Sequence, residues 1–214
     1  MVDATAPLDP ASVRELTLGR LGDLGVQLVS EVPLVGARPA PRPADMVLGR
    51  LFALHACAAA AFGFERVRAR GWLEGEGLLD HTTDAEGTWL DGAGGDAFTF
   101  QVGIEAMYAL AWSLGLVEEL DPVEPCADDF VLRMPDLRET QGTLALAAAG
   151  RLRGLEELAD QLDLYRCLHH AALACELGGP ALPPDLPMHR LAQRHRALAW
   201  LLGPEDWERS GRAG

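Results

Sequence analysis

The sequence has no lysine and no asparagine, and all 18 of its basic residues are arginine. Without lysine no Schiff base can form, no pyridoxal phosphate can be anchored, and no P-loop can place its ammonium on a phosphate. Those enzyme classes are closed. Cysteine is scarce, and Cys57, Cys126, Cys167 and Cys175 form no C-x-x-C pair. The N-terminal MVDATAPLDP lacks the basic start and apolar run of a signal peptide, so the expected compartment is the reducing cytoplasm. There Cys57, Cys167 and Cys175, set in apolar helical stretches, act as small hydrophobes. Positive charge is also in short supply: 32 acidic residues leave a formal net charge of −14. Such a surface repels phosphate backbones and anionic lipid headgroups, so neither nucleic acid nor membrane is an expected partner, and a protein with a basic surface is the electrostatic complement. Convincing strand alternation is missing, and nothing repeats at a fixed period.

What is present is helical. With 214 residues, 49% of them hydrophobic, the chain can build one substantial core. We expect a single all-α domain over residues 1–214, an irregular bundle of about 7–9 helices around a buried central helix at about 103–117, with flexible termini at 1–10 and 208–214. A first helix is expected near 11–24, stopped by Gly25. A Pro-rich loop at 30–44 should lie extended on the core surface, because Pro33, Pro39, Pro41 and Pro43 forbid a helix there. Asp45 is the expected N-cap of the next helix, a shorter one follows near 65–74, and Thr83 with Glu86 forms a capping-box pattern ahead of Trp89 and Leu90. From Ile104 to Val117 only Glu105 and Ser113 are polar, which marks the core helix, and 14 residues are too few to cross a bilayer. Further helices are expected at about 136–150, 152–177 and 187–202.

Several polar groups fall where they are costly. Glu105 lies one turn into the most apolar helix and needs a cation, with Arg196 or Arg166 as the expected partner unless the carboxylate is catalytic. On the helix ending at 177, Arg166 falls in the middle of a leucine stripe with His169 and His170 on its shoulders. Either the stripe faces a polar cleft there, or Arg166 pairs with a buried acid such as Glu105 and the histidines bond carbonyls. On the last helix His195 occupies the centre of the Met188, Leu191, Leu198, Leu202 face and Arg194 flanks it. His189 and His195 are six apart, and no H-E-x-x-H occurs, so no metal and no cofactor is expected. The run Gly92 to Ala97 matches G-x-G-x-x-A, but the preceding TTDAEGTWLD suits a helical turn better than the buried strand that fingerprint requires. No G-x-S-x-G supplies a nucleophile. Trp72, Trp112 and Trp200 read as core residues, and Trp89 and Trp207 as candidates for exposure.

Three segments together resemble a known family. They are I-E-A-M-Y-A-L-A-W-S-L-G-L-V from Ile104, L-D-L-Y-R from Leu162 and R-H-R-A-L-A-W-L-L from Arg194, in that order. The chain resembles, over roughly residues 15–207, the bacterial family called domain of unknown function 4272. The resemblance implies an all-helical fold, brings no activity with it, and marks Glu105, Trp112, Asp163, Arg166, Arg196 and Trp200 as positions of interest. His170 stands where that family has a Trp, and Gln193 where it has a Glu.

The functional expectation is a non-catalytic cytoplasmic protein, regulatory or immunity-like, that binds another protein through groups among Glu105, Arg166, His169, His170, Arg194, His195 and Arg196. The alternative is a small-molecule binder or enzyme with a polar cleft lined by Glu105, Arg166, His169, His170 and His195. A deep cavity converging on these groups favours the alternative, and a closed core in which they are paired favours the first.

Overall fold

The structure, a computed structural model, describes residues 7–211. Among the described residues nine α-helices run in the order α1 (Pro10–Asp23), α2 (Ala44–Ala61), α3 (Arg66–Gly75), α4 (Asp84–Leu90), α5 (Ala97–Gln101), α6 (Ile104–Ser113), α7 (Leu144–Ala149), α8 (Leu155–Glu176) and α9 (Met188–Leu202). Short 3-10 turns occupy Leu79–His81 and Phe130–Arg133, and there is no strand among the described residues. The fold is all-α, as expected.

Local chemistry explains most boundaries. Pro10 opens α1 in the first-turn position and the Asp9 carboxylate accepts from the Ala11 amide at 3.1 Å. The helix closes where Gly25 takes a φ of +69°, which lets the Val26 amide bond back to the Leu21 carbonyl at 2.9 Å. Helix α2 begins two residues earlier than expected. Pro43 is its cap, and Asp45 sits inside the first turn, where its carboxylate accepts from the Met46 amide and meets the positive end of the dipole. The capping box of α4 is formed: Glu86 N–H donates to Thr83 Oγ at 3.3 Å and Thr83 N–H to Glu86 Oε2 at 2.9 Å. Because α4, not a strand, precedes Gly92 to Ala97, the dinucleotide pattern has no structural support.

Two expected helices are shorter. The central one ends at Ser113, because Gly115 at φ +67° turns the chain and the Leu116 amide bonds to the Ala111 carbonyl. The helix expected at 136–150 exists only as α7, Leu144–Ala149. Residues 135–143 form instead a strap held by distant side chains. His55 Nε2 meets the Pro135 carbonyl at 2.9 Å, Trp72 Nε1 donates to the Gln141 carbonyl at 3.0 Å, and Glu76 accepts from the Thr143 amide and hydroxyl at 2.9 and 2.7 Å. These bonds occupy groups that a helical ladder would need.

The helices pack side by side, α1 on α8, α8 on α9, α9 on α6, α6 on α2, and α2 on α3. α6 thus lies inside the bundle with α2 and α9 on either side. Helix α2 is long and apolar enough to cross a membrane by length and composition, but 72% of it is buried within the fold, as befits a second core helix. The Pro-rich loop lies along α1, α8 and α9: Val32 and Val35 are buried, and Arg14 donates to the Val32 and Pro33 carbonyls at 2.9 and 3.1 Å. Of the termini expected to be flexible, residues 1–6 and 212–214 lie outside the described residues. Leu8 is buried with its amide on the Ala37 carbonyl at 3.0 Å, and Ser210 is buried with its hydroxyl on the Glu205 and Asp206 carbonyls.

All five tryptophans are buried, Trp89 and Trp207 included. The segments around these two rings are polar, as expected, but arginines from distant elements, α2 and α3, stack on the rings and cover them. Arg66 lies 3.5 Å from the Trp89 centroid, with Phe100 stacked beside that ring at 4.8 Å, and Arg50 lies 4.2 Å from the Trp207 centroid.

Candidate functional site

Glu105 is buried and paired, but with neither Arg196 nor Arg166. Arg194, fully buried, donates to Glu105 Oε2 from Nε at 2.8 Å and from Nη2 at 2.7 Å, and Arg190 Nε stands 3.6 Å from Oε1. Helical phase accounts for the correction. Arg190 and Arg194 are four apart and share the face of α9 turned to α6, whereas Arg196 is about 200° round from Arg194. Arg196 meets Trp207 instead, its Nε donating to the Trp207 carbonyl at 3.0 Å.

The two buried arginines also grip a loop. Arg194 Nη1 donates to the Asp121 carbonyl at 2.6 Å and the Tyr165 hydroxyl at 2.9 Å, and its Nη2 to the Glu124 carbonyl at 2.8 Å. Arg190 Nη1 donates to the carbonyls of Pro122, Val123 and Asp185 at 3.3, 2.7 and 2.9 Å. Glu105 Oε1 accepts from the Cys126 amide at 3.3 Å, and the Tyr165 hydroxyl donates to the Leu120 carbonyl at 3.1 Å. The ionic cluster is therefore a clasp on residues 120–126. Burial pushes the Tyr165 hydroxyl up to about 12, so it stays a neutral donor.

The other candidates are dispersed. His169 and His195 meet ring to ring, Nδ1 to Nδ1 at 3.0 Å, between α8 and α9. One nitrogen must donate and the other accept, so the accepting ring must be neutral. Burial and the facing ring hold His195 down at about 3, and burial lowers His169 as well. The pair offers two ligands, and the described residues contain no group of three or more His, Cys, Asp or Glu placed to hold a metal. His170 Nε2 lies 2.7 Å from the Ser30 hydroxyl. Arg166 is half-buried under the Pro-rich loop and donates to the Pro33 carbonyl at 3.1 Å. The polar cleft imagined for Glu105, Arg166, His169, His170 and His195 is thus divided among separate places, and Glu105, His169 and His195 are sealed in the core.

Two further buried ion pairs went unanticipated. Asp163, with no exposure, is held bidentately by Arg14 at 2.8 Å on both oxygens. Glu86, besides its capping role, is engaged by both terminal nitrogens of buried Arg50. An acid in a leucine-rich helix signals the first. Nothing local signals Arg50, since its partner is 36 residues away.

A broad groove of about 930 Å³ lies elsewhere, between the C-terminal half of α2, the start of α3 and residues 126–141. Its floor includes His55, Ala58 and Met107. Its walls carry Phe62, 64% exposed, Val131, 44% exposed, and Leu132, 83% exposed. None of the seven candidate residues lines it. The clasp nevertheless shapes it, because Cys126, Ala127 and Asp128 at the end of the held loop form part of one wall. Burial pushes the Cys126 thiol up to about 11, so no reactive thiolate is offered there.

A family model, the domain of unknown function DUF4272, matches residues 14–210. The chain belongs to the DUF4272 family. No curated protein and no solved structure matches it. The matched span of this DUF4272 chain takes in the clasp, the histidine pair, both unanticipated ion pairs and the groove.

Chemically, the interior offers little to a substrate. Both oxygens of Glu105 are occupied, arginine does not give up its proton, and the two histidines are bonded to each other. The groove offers apolar area, with three acids, Glu65, Asp128 and Asp136, and two arginines, Arg68 and Arg138, in its lining. Arg68 is already engaged, donating to the Arg138 carbonyl at 3.3 Å and lying 3.9 Å from Glu65.

Proposed function

We propose that this DUF4272 protein is a non-catalytic cytoplasmic binding domain, regulatory or immunity-like, that seats an apolar segment of a partner protein in the α2–α3 groove. The observation that carries the reading is the separation of roles: the buried polar side chains are consumed in holding the fold, while apolar Phe62, Val131 and Leu132 stand exposed around the 930 Å³ groove. A protein rarely leaves such a patch open without a partner. The occupant is a segment with apolar anchors and basic flanks, since the lining acids Glu65, Asp128 and Asp136 belong to a chain of net charge −14. Four cysteines without a disulfide suit a reducing compartment.

The test is affinity capture from the source lysate with wild type, Phe62→Asp, Leu132→Asp and a control, Leu177→Asp, which alters a side chain 89% exposed outside the groove. A stoichiometric protein retained by wild type and control and lost by both groove variants supports the reading. Recovery of a stoichiometric metabolite or metal with no protein, or of a protein indifferent to the groove variants, overturns it.

A further inference from the structure

A second concavity, of about 430 Å³, opens between the Pro-rich loop, α8 and the C-terminal end of α9, and it shares no lining residue with the groove. Its walls are apolar at Val35, Leu162 and Leu202, and two arginines, Arg38 and Arg166, reach it from opposite elements. It is a basic island on an acidic molecule. Two of the three segments that build it, residues 32–44 and 186–204, contain no Asp or Glu, although the chain has 32 acidic residues; the third, α8, carries Asp160 and Asp163.

The charges there are not balanced. Asp163 is the acid nearest in influence to Arg166, but both of its oxygens are bound by Arg14. Arg166 keeps one neutral acceptor, the Pro33 carbonyl, and the Arg38 guanidinium has neither an ion pair nor a hydrogen bond among the described residues. Counting Arg14, Arg166 and Arg38 against Asp163 leaves two uncompensated positive charges beside one cleft. The negative end of α9 does not compensate for them, because Arg42 covers it, donating to the Trp200 and Glu205 carbonyls at 2.8 Å each. A half-buried guanidinium without an anion is costly, and its planar fork matches a carboxylate or a phosphate.

We propose that this cleft binds a small organic oxyanion, a carboxylate or phosphate ester with an apolar body, whose charged end pairs with Arg166 and Arg38 and whose body lies on Val35, Leu162 and Leu202. The site is independent of the proposed protein-binding groove.

Titration of the full chain with hexanoate, phenyl phosphate and neutral hexanol, followed by amide NMR shifts, tests it. Saturable binding of either anion, with shifts confined to 33–42, α8 and the end of α9, is the expected result; hexanoate alone identifies a carboxylate site and phenyl phosphate alone a phosphate ester site. Arg166→Met should weaken the bound anion about tenfold or more, the loss of one charge-assisted fork. Arg38→Met, at an exposed position that leaves the fold intact, should weaken it severalfold. The proposal is overturned if neither anion saturates, if hexanol binds as tightly as hexanoate, or if both variants bind as the wild type does.

Discussion

Replacing Arg194 by Met removes the guanidinium at the centre of the clasp and keeps most of the side-chain volume. Glu105 is then left buried with the Cys126 amide at 3.3 Å and Arg190 at 3.6 Å, too long for a hydrogen bond. The Asp121 and Glu124 carbonyls each lose a donor. Removing one partner of a buried pair costs about 3–5 kcal/mol, and each orphaned buried acceptor about 1–3 kcal/mol, terms that overlap and do not simply add. We therefore expect a loss of about 4 kcal/mol, a large part of the 5–15 kcal/mol that holds a domain together. Urea unfolding followed by tryptophan fluorescence measures it. The double variant Glu105→Leu with Arg194→Met removes the stranded charge as well and should recover at least about 1 kcal/mol relative to Arg194→Met alone, since apolar groups replace buried pairs at little cost. A cost below about 1 kcal/mol for Arg194→Met, the worth of a surface pair, would refute the clasp as described.

The remaining predictions concern other interior groups. His195 titrates near 3 in the fold against 6.5 in the unfolded chain, so the unfolded state takes up the proton first and stability falls as pH drops from 6.5 towards 3. At about 1.4 kcal/mol per pH unit, the loss between pH 6.5 and 5 is on the order of 2 kcal/mol. His195→Gln should lose correspondingly less over that interval, with His55, also lowered by burial, supplying part of the remaining slope; identical urea midpoint shifts for the two proteins would contradict this. Trp89→Ala removes a ring packed against Phe100 and Arg66 and a bond to the Cys57 carbonyl at 3.3 Å, and should cost about 3–5 kcal/mol in thermal or urea unfolding, whereas a solvent-facing ring would cost almost nothing.

Helical periodicity, glycine stops and the Thr83–Glu86 box made the helices legible, and an acid inside the apolar stretch of α6 made a buried arginine partner legible too. Which arginine was not legible, because the choice between Arg194 and Arg196 depends on how α9 is rotated against α6. Arg166 departs from expectation for a different reason: its place on the leucine stripe points it towards the core, but the Pro-rich loop covers that part of α8. The first half of the helix expected at 136–150 is a strap instead, which local sequence does not reveal because its tethers, His55, Trp72 and Glu76, lie far upstream in the chain. The groove was invisible from sequence, since it arises where no element covers Phe62 and Leu132.

The clasp holds residues 120–126 by oxygens and an amide that every amino acid possesses. The exposed side chains of Glu124 and Pro125 are therefore excused from anchoring it, whereas Leu120 is itself part of the core. A lineage can exchange the exposed ones while the frame beneath stays fixed, and Cys126, the one clasped residue that also borders the adjoining hollow, serves architecture with its amide and recognition with the rest of its atoms.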